Sequence, residues 1–474
     1  MDIYVVSLGD NIDRIAADYG VSADSIIYNN QLVYPYELVV GQALLILFPD
    51  EEDFSSKPQI RAGGYAYTYI SPWVLEQTLP FLTELFIFSY GFTSEGELLS
   101  PPLDDYWMIQ SSLSQNVRPI LTLTPLDASG QFNNNLITSV INNASYKQNL
   151  ISQLLSTIQA KNFSGVDVDF EYIKAEDRDA FTAFVNDLAE TLRPYGYTTS
   201  VALAPKTSAN QPGLLYEGKD YAALGAAADS VLLMTYEWGY KYGPNMAVAP
   251  LNMVRRVVEY AVTEIPPEKI HLGIPNYGYD WPLPFERGVT VAATIGNVEA
   301  VRIAVNHNAV IQFDETAMSP YFRYINNGME HEVWFEDVRS VLAKFNLIKE
   351  YGLSGADYWQ IMRWWRANWL LLNEQFQLFP GSQKSIHLKR RIRRTGGREL
   401  HNLPSCHLIT VFHIQLPCLT PVCVNAPNRR FLKNSCKIGR HYIFNGAVTG
   451  TDNIALCNHV PHGDMVLQQK FFFL

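Results

Sequence analysis

The first 48 residues follow a hydrophobic pattern that predicts a compact strand–helix–helix–strand unit. A short apolar run at 3–6 is typical of a strand, and apolar residues then recur at helical spacing over 12–19. Gly20 stands where a helix C-cap is expected, and Ser22 can cap a second helix. The apolar run at 43–48 predicts a closing strand.

After an acidic linker at 49–60, apolar runs typical of buried strands alternate with helical patterns. Eight strands are predicted, at 61–70, 84–91, 117–124, 165–173, 197–204, 229–236, 268–275 and 353–360. Helical patterns lie between them, for example at 146–160, 175–192 and 252–265. Eight strands alternating with helices across 61–379 predict an α/β fold, specifically a (β/α)8 TIM barrel.

The interval between the seventh and eighth predicted strands is too long for a single helix. It contains a helical pattern at 295–306, a short strand at 310–314 and a hairpin signal at Asn327-Gly328. We therefore expect a small α+β insertion at about 281–335. Because it follows the carboxyl end of a strand, it should lie on the face where barrel enzymes hold their active sites, as one wall of a groove.

The composition of the whole chain limits its functional class. Hydrophobic residues make up 47% and charged residues 18% of the 474 residues, which argues against wholesale disorder. A net charge of −11 argues against a general nucleic-acid binder. The chain contains no run of 18 apolar residues, so no membrane-spanning helix is predicted. The first residues lack the pattern of a signal peptide.

The segment 380–474 differs in composition from the rest of the chain. Residues after Pro380 include 13 basic and 3 acidic residues, a net charge of +10, whereas residues 1–380 carry −21. All five cysteines and seven of the ten histidines also lie there. Their spacing matches no recognised zinc site, and an odd number of cysteines cannot form a complete disulfide set. We expect a poorly ordered or artefactual extension, and neither a metal site nor a cofactor.

The most informative stretch is SGVDVDFEY at 164–172, where three acids alternate with apolar residues. In a strand, Asp167, Asp169 and Glu171 share one face, which in a barrel is the interior. Carboxylates in a dry interior repel one another, so at least one should keep its proton near neutral pH, as a general acid must. Glu171 is nearest the carboxyl end of the strand and is the predicted acid.

Two other interpretations of these acids are a structural ion-pair network and a site for Mg²⁺ or Ca²⁺. No Arg or Lys alternates on the neighbouring predicted strands in a way that would pair all three acids. Spacing of i, i+2 and i+4 along one strand also converges poorly on a single ion. Catalysis is therefore the preferred interpretation.

This stretch resembles the signature of family 18 glycoside hydrolases, except that Ser164 stands where the family usually has an acid. By this resemblance, Glu171 protonates the glycosidic oxygen, and Asp169 orients the N-acetyl group of the substrate. Asp167 shares a proton with Asp169. The resemblance also implies retention of configuration through a substrate-assisted mechanism, in which the acetamido oxygen of the substrate is the nucleophile.

Two more segments agree with this resemblance. LMTYEW at 233–238 is similar to the family's Met-x-Tyr-Asp, which implies that Tyr236 donates a hydrogen bond to the acetamido carbonyl. The eighth predicted strand places a tryptophan where the family has one beneath the sugar in subsite −1. The substrate contacts implied or suggested in this way are Trp359, Glu237, Met234, Tyr65 and Asn276.

The N-terminal unit resembles a LysM module. The matching stretches are YVV at 4–6, GD at 9–10, IA at 15–16, YGVS at 19–22 and GQ at 41–42. The resemblance implies binding to polymers of N-acetylglucosamine, either peptidoglycan or chitin. The alternative is a small structural cap on the next domain.

The single LysM-like unit, GIPNYGYDW at 273–281 and HEVWFED at 331–337 resemble the spore-associated N-acetylglucosaminidases of Gram-positive spore formers, and the resemblance covers residues 1 to about 379. This implies a glycosidase that cleaves β-1,4 bonds of N-acetylglucosamine in spore cortex peptidoglycan. We expect a monomer in the spore cortex, spore coat or cell envelope. A chitinase or another N-acetylglucosaminidase of this fold is one alternative. An inactive glycan-binding lectin is another, although the presence of Glu171 argues against it.

Overall fold

The computed structural model describes residues 1–48 and 57–379. Most of the predicted linker at 49–60 lies outside these ranges. The predicted tail at 380–474, with its cysteines, lies entirely outside the described residues. Within the described ranges, no helix has both the length and the apolar character that a membrane span requires.

The N-terminal unit has the predicted strand–helix–helix–strand order. Its elements are β1 (Asp2–Val5), α1 (Ile12–Tyr19), α2 (Ala23–Asn29) and β2 (Ala43–Ile46). Asn11 caps α1 and Ser22 caps α2, each accepting a hydrogen bond from a backbone N–H three residues ahead. Gly20 ends α1 in the left-handed conformation, at φ 67°. The two strands pair antiparallel and cover one side of a small apolar core.

Eight parallel strands form a closed barrel, which confirms the predicted fold class. The strands are β3 (Gln59–Tyr67), β4 (Glu84–Phe92), β6 (Arg118–Leu123), β7 (Gly165–Val168), β8 (Thr198–Leu203), β9 (Ser230–Leu233), β10 (Ile270–Pro275) and β16 (Gly355–Trp359). Each strand pairs with the next in this order, and β16 pairs with β3 to close the ring. Two short strands pair with barrel strands: β5 (Leu98–Leu99) runs antiparallel to β4, and β17 (Gln377–Leu378) runs parallel to β3.

Helices surround the barrel and cover the outer faces of its strands. They are α3 (Pro72–Thr78), α4 (Tyr106–Ser114), α5 (Asn135–Ile141), α6 (Ala144–Lys161), α7 (Arg178–Leu192), α8 (Tyr221–Ala227), α9 (Leu251–Glu264), α11 (Val338–Tyr351) and α12 (Arg366–Gln375). Their inner faces are apolar, as in α7, where Phe181, Phe184 and Leu188 are fully buried. The main core therefore lies between the helices and the strands, and polar side chains occupy part of the barrel interior.

Strand β7 is shorter than the predicted strand at 165–173. Its last pairs are Val168 with Leu123 of β6 and Val168 with Val201 of β8. The Asp169 N–H still donates to the Leu123 carbonyl oxygen at 2.9 Å, but Glu171 lies beyond the ladder. The alternation of acids and apolar residues continues past the last pair, and for that reason the pattern overestimates the strand.

Between β10 and β16 the chain forms a separate antiparallel sheet, which we call the insertion. Its strands are β11 (Gly278–Pro282), β12 (Ala293–Ile295), β13 (Gln312–Asp314), β14 (Ser319–Asn326) and β15 (Met329–Trp334), in the order β12-β11-β15-β14-β13. Helix α10 (Asn297–Asn306) packs against this sheet through Ala300 and Ala304. The turn between β14 and β15 is at Asn327-Gly328, where the sequence predicts a hairpin.

The N-terminal unit packs directly on the insertion. Val39 is buried in the same apolar cluster as Phe322 and Val333 of the insertion. The N–H of Ile311 donates to the carbonyl oxygen of Val40 at 2.9 Å. At Gly41 the backbone has φ 87°, and a Cβ would lie 1.8 Å from the Ile311 carbonyl oxygen. Glycine at this position is therefore needed for the contact.

Candidate active site

The three acids of the β7 segment lie together at the carboxyl end of this strand. Asp167, Asp169 and Glu171 are 0%, 4% and 6% exposed. Asp167 faces the barrel interior, where the Tyr65 hydroxyl reaches it from β3 at 2.9 Å and the Ser200 hydroxyl reaches it from β8 at 2.7 Å. One contact comes from the adjacent strand β8 and the other from β3, which is not a neighbour of β7, so the carboxylate is fixed across the barrel.

The environment of Asp167 favours its protonated form. Burial raises the pKa of Asp167 to about 7, and the negative charges of Asp169 and Asp357 add to the increase, against the opposing effect of the Ser200 and Tyr65 hydroxyls. A carboxyl with this pKa holds a proton over much of the range up to neutrality. The segment can therefore carry two aspartates that share a proton, next to a third carboxyl at the barrel mouth.

Tyr236 lies three residues beyond the end of β9 and is buried. Burial raises the pKa of Tyr236 well above its usual range, and the charges of Asp169, Glu171 and Glu237 raise it further. The hydroxyl therefore stays protonated at any ordinary pH. Its position among these carboxylates makes it a permanent hydrogen-bond donor at the site.

Glu237 is held by two tyrosines that the sequence analysis did not identify. Its backbone is in the left-handed region at φ 68°, and its carboxylate accepts hydrogen bonds from the hydroxyls of Tyr277 and Tyr279. The Tyr279 hydroxyl lies 2.9 Å from Glu237 Oε1. The spacing of the two tyrosines by two residues places them on one face of an extended segment, and this was the available signal in the sequence.

Trp359 is the last residue of β16 and forms an aromatic floor with its neighbours. Its ring centroid lies 5.0 Å from that of Phe88, 5.7 Å from that of Tyr65 and 6.0 Å from that of Tyr67. The interplanar angles are between 60° and 72°, typical of edge-to-face packing. The indole is therefore held in one orientation by its aromatic neighbours.

The two remaining predicted contacts differ in their surroundings. Met234 is half-buried and directly follows β9. Asn276 is buried, and its amide group donates to the carbonyl oxygens of Gln360 and Arg363 at 3.0 Å each. Asn276 thus ties the end of β10 to the loop after β16, and its predicted contact with substrate stays a prediction.

The barrel interior also holds a buried histidine–aspartate pair that the sequence did not predict. His271 Nδ1 of β10 lies 2.9 Å from Asp357 Oδ2 of β16, and both side chains are 2% exposed. Burial opposes protonation of His271, but the charge of Asp357 and the hydrogen bond outweigh it, so the pKa of the imidazole is raised. No group of three potential ligands for a metal ion occurs in 1–48 or 57–379.

Comparison with known proteins identifies both modules. Residues 128–363 match the model of glycosyl hydrolases family 18, and residues 4–46 match that of the LysM domain. The chain is 38% identical over 428 aligned residues to the cortical fragment-lytic enzyme of Bacillus subtilis (strain 168), covering 80% of this chain and 99% of that enzyme.

Solved structures give the same result. The crystal structure of the Bacillus megaterium QM B1551 spore cortex-lytic enzyme SleL matches with a TM-score of 0.75 and 32% identity, covering 80% of this chain and 98% of that one. A chitinase from Chromobacterium violaceum ATCC 12472 matches with a TM-score of 0.62 and 25% identity, covering 67% of this chain and 98% of that chitinase. The likeness to the SleL structure thus extends over more of this chain than the likeness to the chitinase.

Proposed function

This chain belongs to glycosyl hydrolase family 18 and is a glycosidase, and from this premise we propose that it hydrolyses β-1,4 bonds of N-acetylglucosamine in spore cortex peptidoglycan. One observation carries the choice of substrate: the alignment with the cortical fragment-lytic enzyme covers 99% of that enzyme, beyond the barrel alone. The same likeness supports a location in the spore cortex, spore coat or cell envelope. We further propose that the enzyme acts as a monomer.

In the proposed mechanism, Glu171 is the general acid. Its proton passes to the glycosidic oxygen as the bond to the anomeric carbon breaks. The acetamido oxygen of the same sugar attacks the anomeric carbon from the opposite face and forms an oxazolinium ion. The Glu171 carboxylate then takes a proton from water, which opens this ring with net retention of configuration.

The two aspartates act on the acetamido group in this proposal. Asp169 orients the group, and its negative charge stabilises the oxazolinium ion. Asp167 holds a proton that it shares with Asp169, consistent with burial that raises the pKa of Asp167 to about 7. Tyr236, kept protonated by its surroundings, donates a hydrogen bond to the acetamido carbonyl, and Trp359 packs beneath the sugar.

The LysM domain would retain the polymer near this site. It packs on the insertion through Val39 and Gly41, and the insertion follows the carboxyl end of β10 at the mouth of the barrel. A glycan bound by the LysM domain is thus kept close to one wall of the catalytic groove. This arrangement supports a polymeric substrate over a single disaccharide.

Chitin is the second candidate substrate, favoured by the likeness to the Chromobacterium violaceum chitinase. The two candidates share the N-acetyl group that the mechanism requires. They differ in the lactyl ether and peptide on alternate sugars of peptidoglycan. Digestion of purified cortex fragments and of chitin oligosaccharides in parallel, with products analysed by mass spectrometry, separates them.

The decisive substitution is Glu171→Gln, which keeps the shape of the side chain and removes its acid. Turnover of cortex fragments is expected to fall by roughly a thousandfold, within the range usual for loss of a general acid. Glu176→Gln is the matched control, because Glu176 is an exposed carboxylate five residues along the same segment. Wild-type turnover by Glu171→Gln would show that the mechanism is wrong, and cleavage of chitin alone would favour the chitinase alternative.

A further inference from the structure

The His271–Asp357 pair has no part in the mechanism described above, although it lies directly beneath the catalytic residues. In the register of the barrel, His271 is opposite Gly355, and Asp357 is opposite Gly63 of β3. Asp357 precedes Trp359 by two residues, so both side chains point into the barrel and the aspartate is one layer deeper. The pair therefore lies under the floor on which the sugar is expected to rest.

Two glycines provide the space that this pair occupies. A Cβ on Gly63 would lie 2.3 Å from Asp357 Oδ1, and a Cβ on Gly355 would lie 2.6 Å from Cγ of the His271 ring. Any larger residue at either position would displace the pair. Apolar side chains would fill this space without the cost of burying two ionisable groups. Packing alone therefore does not account for the pair and its two glycines.

The charge of Asp357 acts on three groups at the catalytic site. Burial raises the pKa of Asp167, that of Tyr65 and that of Tyr236, which come from three different strands or strand ends, and the charge of Asp357 raises each further. Its own partner is the imidazole of His271 from β10. Among the described residues, Asp357 Oδ1 has no hydrogen-bond partner, and Oδ2 is bonded to His271.

The groups that face His271 come from three strands. Burial lowers the pKa of the imidazole, Asp357 of β16 and Glu84 of β4 raise it, and Arg61 of β3 lowers it. Glu84 is itself bound by Arg118 of β6, with Nη1 2.8 Å from Oε1. Asp357 is thus the partner that decides the charge state of His271.

We propose that His271 and Asp357 are positioning residues that hold the proton shared by Asp167 and Asp169 as the pH rises. The inference rests on the proposed function, because it concerns the same aspartates. While His271 is protonated, its charge balances that of Asp357. When the imidazole loses its proton to solvent, the charge of Asp357 is uncompensated and opposes ionisation of Asp167. The shared proton is then retained further into the alkaline range.

Asp357→Asn tests this directly, since it keeps the shape that fits against Gly63 and removes the charge. The alkaline limb of the pH profile of kcat/KM is expected to move to lower pH by about half a unit to one unit, a threefold to tenfold loss of activity on that limb. Activity on the acidic side of the optimum should change little. Adding His271→Gln to this variant should cause no further shift, because His271 acts through Asp357.

A second readout does not depend on activity. The full chain is labelled with ¹³C at its aspartate carboxyls and titrated with pH by NMR. The Asp167 signal is assigned by its loss in Asp167→Asn, and its titration midpoint is compared between wild type and variants. Asp357→Asn should lower this midpoint. His271→Gln alone should raise it, because an amide that donates to Asp357 leaves its charge in place. This variant also serves if Asp357→Asn does not fold.

Glu336→Gln is the control for merely structural effects, because Glu336 is equally buried but pairs with Lys344 of α11. It should lower the melting temperature and leave both the alkaline limb and the Asp167 midpoint unchanged. A folded Asp357→Asn or His271→Gln with an unchanged Asp167 midpoint would overturn the inference. Failure of the proposed function would give a different result. The wild-type protein would leave cortex intact, while the Asp167 midpoint would still shift in these variants.

Discussion

Two groups of buried charges in this molecule differ in how they are compensated. Under helix α11, Lys344 Nζ lies 2.8 Å from Glu336 Oε2, and the two side chains are 0% and 1% exposed. Each charge there has an opposite charge as its direct partner. In the barrel interior and at its mouth, three buried carboxyls (Asp167, Asp169 and Glu171) lie on one segment, and a fourth, Asp357, is paired with the imidazole of His271.

The two groups differ in what lies beside each buried carboxyl. Burial raises the pKa of Glu336, and the charge and hydrogen bond of Lys344 oppose this rise and fix the carboxylate in place. Around Asp167, hydroxyl groups of Tyr65 and Ser200 take the place of cations. Burial raises the pKa of Asp167, and the two hydroxyl donors orient the carboxyl but offset this rise only in part, so Asp167 keeps its proton up to about neutral pH.

The largest expected effect is on the structural pair. Lys344→Met leaves Glu336 buried without its cation, and the free energy of unfolding should fall by about 3–5 kcal/mol. The measurement is chemical denaturation at neutral pH. The matched double variant, Lys344→Met with Glu336→Leu, should recover most of this loss, because it removes both charges together. A loss below about 1 kcal/mol in the single variant would contradict the view that the pair is structural.

The second prediction concerns Asp167, whose pKa is raised by burial to about 7 in the folded protein. Unfolded, this carboxyl titrates near pH 4, so between the two values only the folded state holds the proton. Stability from this group is therefore full below about pH 4 and declines as the pH rises to about 7. Over that interval the wild type should lose roughly 2–4 kcal/mol through Asp167.

Asp167→Asn should remove this decline, because an amide does not titrate. At pH 8 the variant should be more stable than the wild type and much less active, whereas at pH 4 the two should have similar stability. Denaturation curves from pH 4 to 8 provide the measurement, with Glu176→Gln as the control at an exposed carboxylate. Equal pH dependence in Asp167→Asn and wild type would show that Asp167 ionises freely in the folded protein.

The sequence predicted the three acids of the β7 segment, but it did not predict the His271–Asp357 pair beneath them. Asp167, Asp169 and Glu171 lie within five residues, so alternation alone placed them together. His271 and Asp357 come from strands 86 residues apart, and their contact depends on the register of β10 against β16. Nothing in the local pattern reveals a register between distant strands.

The fold could be predicted because its strands are visible in the local sequence pattern. Buried parallel strands are continuous apolar runs, and the eight runs of the barrel could be recognised without knowing their neighbours. The packing of the LysM domain on the insertion could not be recognised, because it depends on Gly41 meeting the backbone of Ile311. Tyr277 and Tyr279 were missed for the same reason, since their partner Glu237 lies 40 residues earlier.

The smallest expected effect is at an exposed pair, which extends the comparison to the surface. Arg255 binds Glu350 through two hydrogen bonds, at 2.6 and 2.9 Å, and the pair is between one third and one half exposed. The hydrogen bond from Arg255 lowers the pKa of Glu350, so any stabilisation is present above the usual range of glutamate and is lost as the pH falls.

Glu350→Gln should therefore change the free energy of unfolding, measured by the same chemical denaturation at neutral pH, far less than Lys344→Met does. Water already solvates both partners of the exposed pair, and holding two long side chains in one geometry costs conformational entropy. The small difference from wild type should vanish at about 1 M salt, where the screening length is about 3 Å, whereas the effect of Lys344→Met should persist. If salt abolished the stability change in both variants, burial would not explain the difference in stability between the two ion pairs.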